Sequence, residues 1–146
     1  MYTLGQTTNK AIIKRKNDYL VNVSALCAAA LVEGETVKLN TDGTISAVTA
    51  VTDIPFGTVV VGNGGDVTKL VTVKTNFKAI VRGQANAAIT TGQRVAALAT
   101  VTSAGGEKLT DYKTAVTTNY VIGQALTTAA DDGEVEVGLY YNPFLI

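Results

Sequence analysis

Apolar and polar residues alternate in short runs along most of this chain. Tyr19, Val21 and Val23 alternate with Leu20, Asn22 and Ser24. Val37 and Leu39 share one face of residues 36–39, with Thr36 and Lys38 on the other. Ala47, Thr49 and Val51 alternate with Val48 and Ala50, Val71 stays in phase with Val73, and Val135, Val137 and Leu139 alternate with Glu134 and Glu136. A period of two places successive side chains on opposite faces, the signature of a half-buried strand. Residues 11–15, 58–61 and 77–81 read as further strands. The Ala-rich residues 24–31 fit either a turn of helix or another strand. Glycine and Asx residues punctuate the runs: Asp42-Gly43 predicts a hairpin turn, Asn63-Gly64-Gly65-Asp66 a loop tip, residues 103–106 a second loop, and Asp131-Asp132-Gly133 the last hairpin turn. Pro55 breaks the run at residues 53–57 because it cannot donate to a ladder. Strands at about ten-residue spacing, with glycine turns between them, predict an all-β fold, a small antiparallel β-sandwich or barrel.

One element is used twice. Leu31, Gly34 and Val37 recur 58 residues later as Ile89, Gly92 and Val95. The stretch ending in Gly57 resembles the one ending in Gly123, now 66 residues on, so the second copy carries about eight extra residues. Val135 and Val137 match Val71 and Val73. The chain therefore reads as an extended N-terminal arm over residues 1–18 and a single β domain over 19–146, with pseudo-repeats at about 25–75 and 85–141. The two halves supply either two sheets or two lobes of one barrel.

Composition sharpens this. The chain has 22 Thr, 19 Val and 19 Ala in 146 residues, and the β-branched pair suits a pleated, half-buried surface. Charged residues make up only 16%, which leaves little solvated surface for a monomer and favours cover by other chains. The net charge of zero is unevenly spread. Lys10, Lys14, Arg15 and Lys16 face only Asp18 in the first 24 residues, while Asp131, Asp132, Glu134 and Glu136 stand without a base at the other end. The basic run is too short, in a domain that is not basic overall, to predict nucleic-acid binding. Residues 19–32 imitate a secretory signal poorly, being interrupted by Asn22 and Ser24, and no run approaches the ~20 apolar residues of a membrane helix. The expectation is a chain made and used in a cytoplasm, or released without a secretory signal.

Little here points to catalysis. There is no histidine, which removes the commonest general base near neutral pH. The three serines sit in no nucleophile pattern. The single cysteine, Cys27, lies among alanines and reads as a buried small residue. The acidic group at 131–136 offers oxygen ligands but lacks Ca²⁺-loop spacing, and strand alternation accounts for Glu134 and Glu136. No catalytic, cofactor or metal residue is expected. The ends are more informative. Tyr140, Tyr141, Phe144, Leu145 and Ile146 form an apolar tail that must pack in the core or against a neighbouring subunit.

The motifs Leu31-Val32-Glu33-Gly34-Glu35-Thr36-Val37-Lys38-Leu39, Asp42-Gly43-Thr44, Ile54 to Gly57, Ile89 to Val95, Val121-Ile122-Gly123-Gln124-Ala125 and Asp132 to Val137 resemble small tailed-phage proteins that decorate the capsid. The resemblance spans about residues 25–141. It implies a head decoration, or cement, protein: β-tulip-like, commonly a homotrimer, placed on the outer surface of the virion after assembly in the host cytoplasm. Such proteins bridge major capsid protein subunits and oppose the pressure of packaged DNA. The resemblance brings no small-molecule substrate. On this reading Thr3, Leu4, Lys10, Ile12, Ile13, Lys14, Arg15 and Lys16 of the arm contact the capsid, and Tyr140, Tyr141, Phe144, Leu145 and Ile146 form the oligomer interface. Two other readings remain. One is a different virion β module, such as a head-fibre base or tail-associated protein. The other is a carbohydrate-binding or adhesin-like sandwich, which the absence of Trp disfavours.

Overall fold

The alternating runs become ten strands, and no helix occurs among the described residues. The computed structural model describes residues 20–104 and 107–145. Strands β1 (Asn22–Ala25), β2 (Thr36–Leu39), β3 (Ile45–Ala47), β4 (Pro55–Val61) and β5 (Val71–Thr75) form a sheet of order β1-β5-β4-β2-β3. Strands β6 (Phe77–Ala85), β7 (Arg94–Ala104), β8 (Glu107–Thr114), β9 (Tyr120–Ala125) and β10 (Glu134–Leu145) close into a barrel of order β10-β6-β8-β7-β9. The all-β expectation holds. Every strand pair is antiparallel except β6 with β8.

The second five strands repeat the pairing of the first. Val23 faces Val73 as Val81 faces Val137, Val37 faces Gly57 as Val95 faces Gly123, and Leu39 faces Ile45 as Ala97 faces Tyr112. The parallel β6–β8 contact, Ala85 with Tyr112, has its counterpart in a single parallel bridge between Cys27 and Ile45. There Ile45 N–H donates to Leu26 O and Ala28 N–H to Ile45 O, both at 2.9 Å, so the first sheet all but closes. The extra length of the second copy lies in one place. Five residues separate Leu39 from Ile45, and fourteen separate Ala97 from Tyr112, so β7 and β8 build a longer hairpin.

A common turn feeds four strands. The fourth residue's N–H donates to the first residue's carbonyl: Glu35 to Val32 at 3.3 Å, Gln93 to Thr90 at 3.1 Å, Asn119 to Val116 at 3.0 Å and Gly133 to Ala130 at 2.9 Å. The third residue takes a left-handed φ, at Gly34 (94°), Gly92 (90°), Thr118 (77°) and Asp132 (63°). The Glu35, Gln93 and Asn119 side chains then accept the first residue's N–H. Asp131-Asp132-Gly133 is thus the entry turn of β10.

Two local expectations change. The alternation over residues 46–52 does not continue as strand, because β3 ends at Ala47. Asp53 captures the backbone instead: its carboxylate accepts from Thr49 N at 2.9 Å, Ala50 N at 3.0 Å and Lys38 Nζ at 2.9 Å, and Val51 is left in solvent. Residues 24–31 are neither helix nor one strand; β1 ends at Ala25 and an irregular stretch leads to the Gly34 turn.

The Asp53 staple has a pH signature. The N–H of Thr49, then Lys38 and Ala50, hold its carboxyl down at about 2, against ~3.9 for a free Asp side chain. A depressed carboxyl contributes stability that is complete above the unfolded value and disappears as pH falls through the folded one. Asp42 and Asp66 are lowered in the same sense by Thr44 and Thr68. The urea midpoint is therefore expected to fall between about pH 4 and pH 2, with a shallower fall in Asp53→Asn. An unchanged slope in that variant would remove Asp53 from the account.

Two cores form. The first contains Leu31, Val37, Ile45, Val59, Val71 and Val73, and it also takes Phe77, Val121 and Tyr140 from the second half. The second is built from Ala85, Ile89, Val95, Tyr112, Ala125, Val135 and Val137. Phe77 sits edge-on to Phe56 at 5.7 Å between centroids and 5.6 Å from Tyr140. Gly138 leaves room for that ring, since a Cβ there would lie 2.4 Å from Phe77 Cε2. Tyr140 is therefore a correction to the expected interface: it is 7% exposed and belongs to the chain's own core.

Candidate functional site

Thr3, Leu4, Lys10, Ile12, Ile13, Lys14, Arg15 and Lys16 of the expected capsid-contacting arm lie outside the described residues, as does Ile146. The rest of the tail is held as strand. β10 breaks register after Leu139 and pairs again, Phe144 with Val121 and Leu145 with Tyr120, while Tyr141 N–H donates to Asn76 O at 3.0 Å. With Tyr140 inside, Tyr141 (53%), Phe144 (39%) and Leu145 (56%) remain on the surface beside Tyr120 (63%). Leu145 and Tyr120 are register partners and share one face, while Phe144, opposite Val121, points the other way and lies 5.8 Å from Tyr140 between ring centroids. The Arg94 guanidinium lies 5.3 Å from the Phe144 centroid, a cation–π contact that holds this ring. Tyr120 and Arg94 were not legible as neighbours of the tail, because only the strand register brings them to it.

A second apolar surface lies between the first sheet and the barrel. It is a groove of about 460 Å³ whose walls include Leu26, Leu70, Ile80 and Leu126, with the Asp42 and Glu136 carboxylates at its edge. Leu26 follows β1 and Ile80 lies on β6. Leu70 comes from the loop entering β5 and Leu126 from the one leaving β9.

The polar groups have structural work. Asp131 Oδ1 accepts from Ala87 N–H at 2.7 Å, Asp132 Oδ1 accepts from Gln84 Nε2 at 3.1 Å, and Glu134 pairs with Arg82 at 2.7 Å. These contacts fasten the start of β10 and its entry turn to β6 and the residues after it. Among the described residues no group of three or more His, Cys, Asp or Glu side chains stands close enough to hold a metal. Burial raises the Cys27 thiol above its ordinary value, which disfavours the reactive thiolate. Burial likewise raises the Tyr112 and Tyr140 phenols. No helix among the described residues is long and apolar enough to cross a membrane. No protein-family model matches the chain, and no curated protein is significantly similar to it.

Proposed function

We propose that this chain is a structural protein of a tailed-phage virion that decorates the outer capsid surface and stabilises it by bridging major capsid protein subunits, acting as a homotrimer. The observation that best supports the reading is the strand-held C-terminal segment on an all-β body, which keeps Tyr141, Phe144 and Leu145 exposed, with Leu145 paired beside the exposed Tyr120. A segment of this kind, fixed before any contact, suits a permanent interface better than an adaptable one, because little side-chain and backbone freedom is left to lose. The duplicated frame gives the stiffness that a clamp between shell subunits requires. The arm, through Thr3, Leu4, Lys10, Ile12, Ile13, Lys14, Arg15 and Lys16, makes the capsid contact.

The test uses shells of the major capsid protein from the same virus. The full-length chain is expected to cosediment to saturation, and deletion of residues 2–16 to weaken binding about tenfold or more, a loss of at least ~1.4 kcal/mol. Shells that sediment without the full-length chain would overturn the decoration reading, and equal binding by the deleted chain would overturn the role of the arm. Gold labelling at the tail or at a fibre base, rather than over the shell, would establish the other virion reading.

A further inference from the structure

We propose that the recess around Arg94 is a binding site for a carboxylate carried on a small apolar group. The recess has a volume of about 240 Å³ and lies where the start of β7 and the end of β10 meet β4 of the first sheet. Phe56, Tyr140 and Phe144 supply aromatic walls, Pro55 extends them, and the exposed Asn76 adds an amide. Arg94 is the one charged residue lining it among the described residues. Strand β9 brings the parts together, with Arg94 opposite Gln124 and Phe144 opposite Val121. The guanidinium is held on two sides: it lies 5.3 Å from the Phe144 centroid and donates to the Tyr140 phenol oxygen. A head group fixed in this way has little freedom left to lose when a ligand arrives.

The cation is incompletely matched. Lys38 has Asp53 and Arg82 has Glu134, but Arg94 forms no ion pair among the described residues, and its Nε is buried without a hydrogen-bond partner. A guanidinium offers five N–H donors and no acceptor. Tyr140 takes one, and Nε is closed to solvent, which leaves the Nη groups to meet a ligand. Charge, size and wall chemistry then select its class. One positive charge matches a monoanion, whereas a phosphate is ordinarily held by several cations or by a nest of backbone N–H groups. A carboxylate fits the planar guanidinium with both oxygens. The volume lies below the roughly 300–1,000 Å³ of sites for drug-sized ligands, so the recess takes one small group. The aromatic walls suit a ring or a branched aliphatic chain beside the carboxylate. Two sources carry that chemistry: a free carboxylic acid, and the C-terminal residue of another polypeptide. The inference does not rest on the decoration reading.

Titration of the isotopically labelled full-length chain with benzoate, followed by NMR, provides the test. Benzoate is expected to shift the Arg94 Nε–H and the backbone amides around it to saturation, with a Kd on the order of 1 mM, as suits one charge-assisted pair and one buried ring. Benzamide, the neutral isostere, should bind at least about tenfold more weakly, the loss of a charge-assisted bond. Arg94→Gln should weaken benzoate to the same degree. Asn76→Asp, at an exposed position that leaves both cores untouched, should do so as well, by placing a competing carboxylate in the recess. Phenylacetate and N-acetylphenylalanine separate the two sources: tighter binding of the first identifies a free acid, tighter binding of the second a chain end, and either supports the site. Shifts that do not saturate, equal binding of benzamide, or benzoate binding that survives both variants would overturn the inference. Inorganic phosphate that binds as tightly as benzoate would overturn the choice of a carboxylate.

Discussion

Replacing Phe77 by Ala is expected to lower the stability of the whole chain by about 3–5 kcal/mol, with both cores lost in one unfolding transition. Phe77 is fully buried, and its ring closes the first core against Phe56 and Tyr140. It nevertheless opens β6, the first strand of the second half, after only Asn76. Two further strands are shared in the same way. β9 places Val121 in the first core and Ala125 in the second, and β10 places Val135 and Val137 in the second core and Tyr140 in the first. Three strands thus thread both cores, and no linker lets the first sheet open while the barrel stays closed. Removing the ring leaves a cavity that the neighbouring Gly138 cannot fill, because it has no side chain to move into the space. Domains of this size are held by roughly 5–15 kcal/mol, so such a loss consumes much of the margin. Urea unfolding followed by far-UV circular dichroism and by tyrosine fluorescence provides the measurement. Two separate transitions, or a loss below about 1 kcal/mol, would mean that Phe77 does not join the cores.

Much of this architecture was legible because alternation reports a buried face. β2, β5 and β10 stand where Val37, Val71 with Val73, and Val135 with Val137 predict them. The repeat was visible at Gly34 and Gly92, where the left-handed turn uses the residue that tolerates it best. Its other two uses were hidden, since Thr118 and Asp132 adopt the same backbone with a side chain present. The tail shows a different limit. Strict alternation from Val135 and Val137 would bury Leu139 and Tyr141. Alternation in fact continues: Leu139 packs on the second core with Val135 and Val137, while Gly138 and Tyr140, on the opposite face, meet Phe77 of the first core, and Tyr141 is left exposed. The pattern does not show that the opposite face is covered as well, so the interior role of Tyr140 could not be read before the packing of the two halves was known. The groove was equally invisible, being assembled from segments far apart in the sequence, whose proximity follows from the pairing of the two halves. Alternation says that a residue is buried, but not in which of two cores.

Asn63 carries the second large expected effect: Asn63→Ala should cost about 2–3 kcal/mol, the penalty of leaving a buried donor unpaired together with lost hydrogen bonds. Its sequence neighbourhood, Asn63-Gly64-Gly65-Asp66, suggests a solvated loop tip, yet Asn63 is 3% exposed. The duplicated frame explains why. In the second copy Ile89 and Ala129 exchange backbone hydrogen bonds, N–H to O in both directions at 2.9 Å. In the first copy Asn63 N–H donates to Leu31 O at 3.3 Å, but the return bond is made by its side chain, with Leu31 N–H donating to Oδ1 at 3.2 Å. The same Oδ1 accepts from Gly65 N–H at 3.1 Å, and Nδ2 donates to Ala29 O at 3.4 Å. The side chain thus replaces a backbone carbonyl that the longer loop of the first copy has turned away, and it ties the loop to the lead-in of the Gly34 turn. Alanine stands at the equivalent place in the second copy, where the backbone completes the exchange by itself, so only the first copy should suffer from its introduction. Urea denaturation measures the loss, and hydrogen exchange localises it: the Leu31 amide should exchange faster in Asn63→Ala while the Ile89 amide keeps the protection set by global unfolding. A change below about 0.5 kcal/mol, the range of an ordinary surface substitution, or a Leu31 amide no less protected than Ile89, would show that the loop restores the bond by another route.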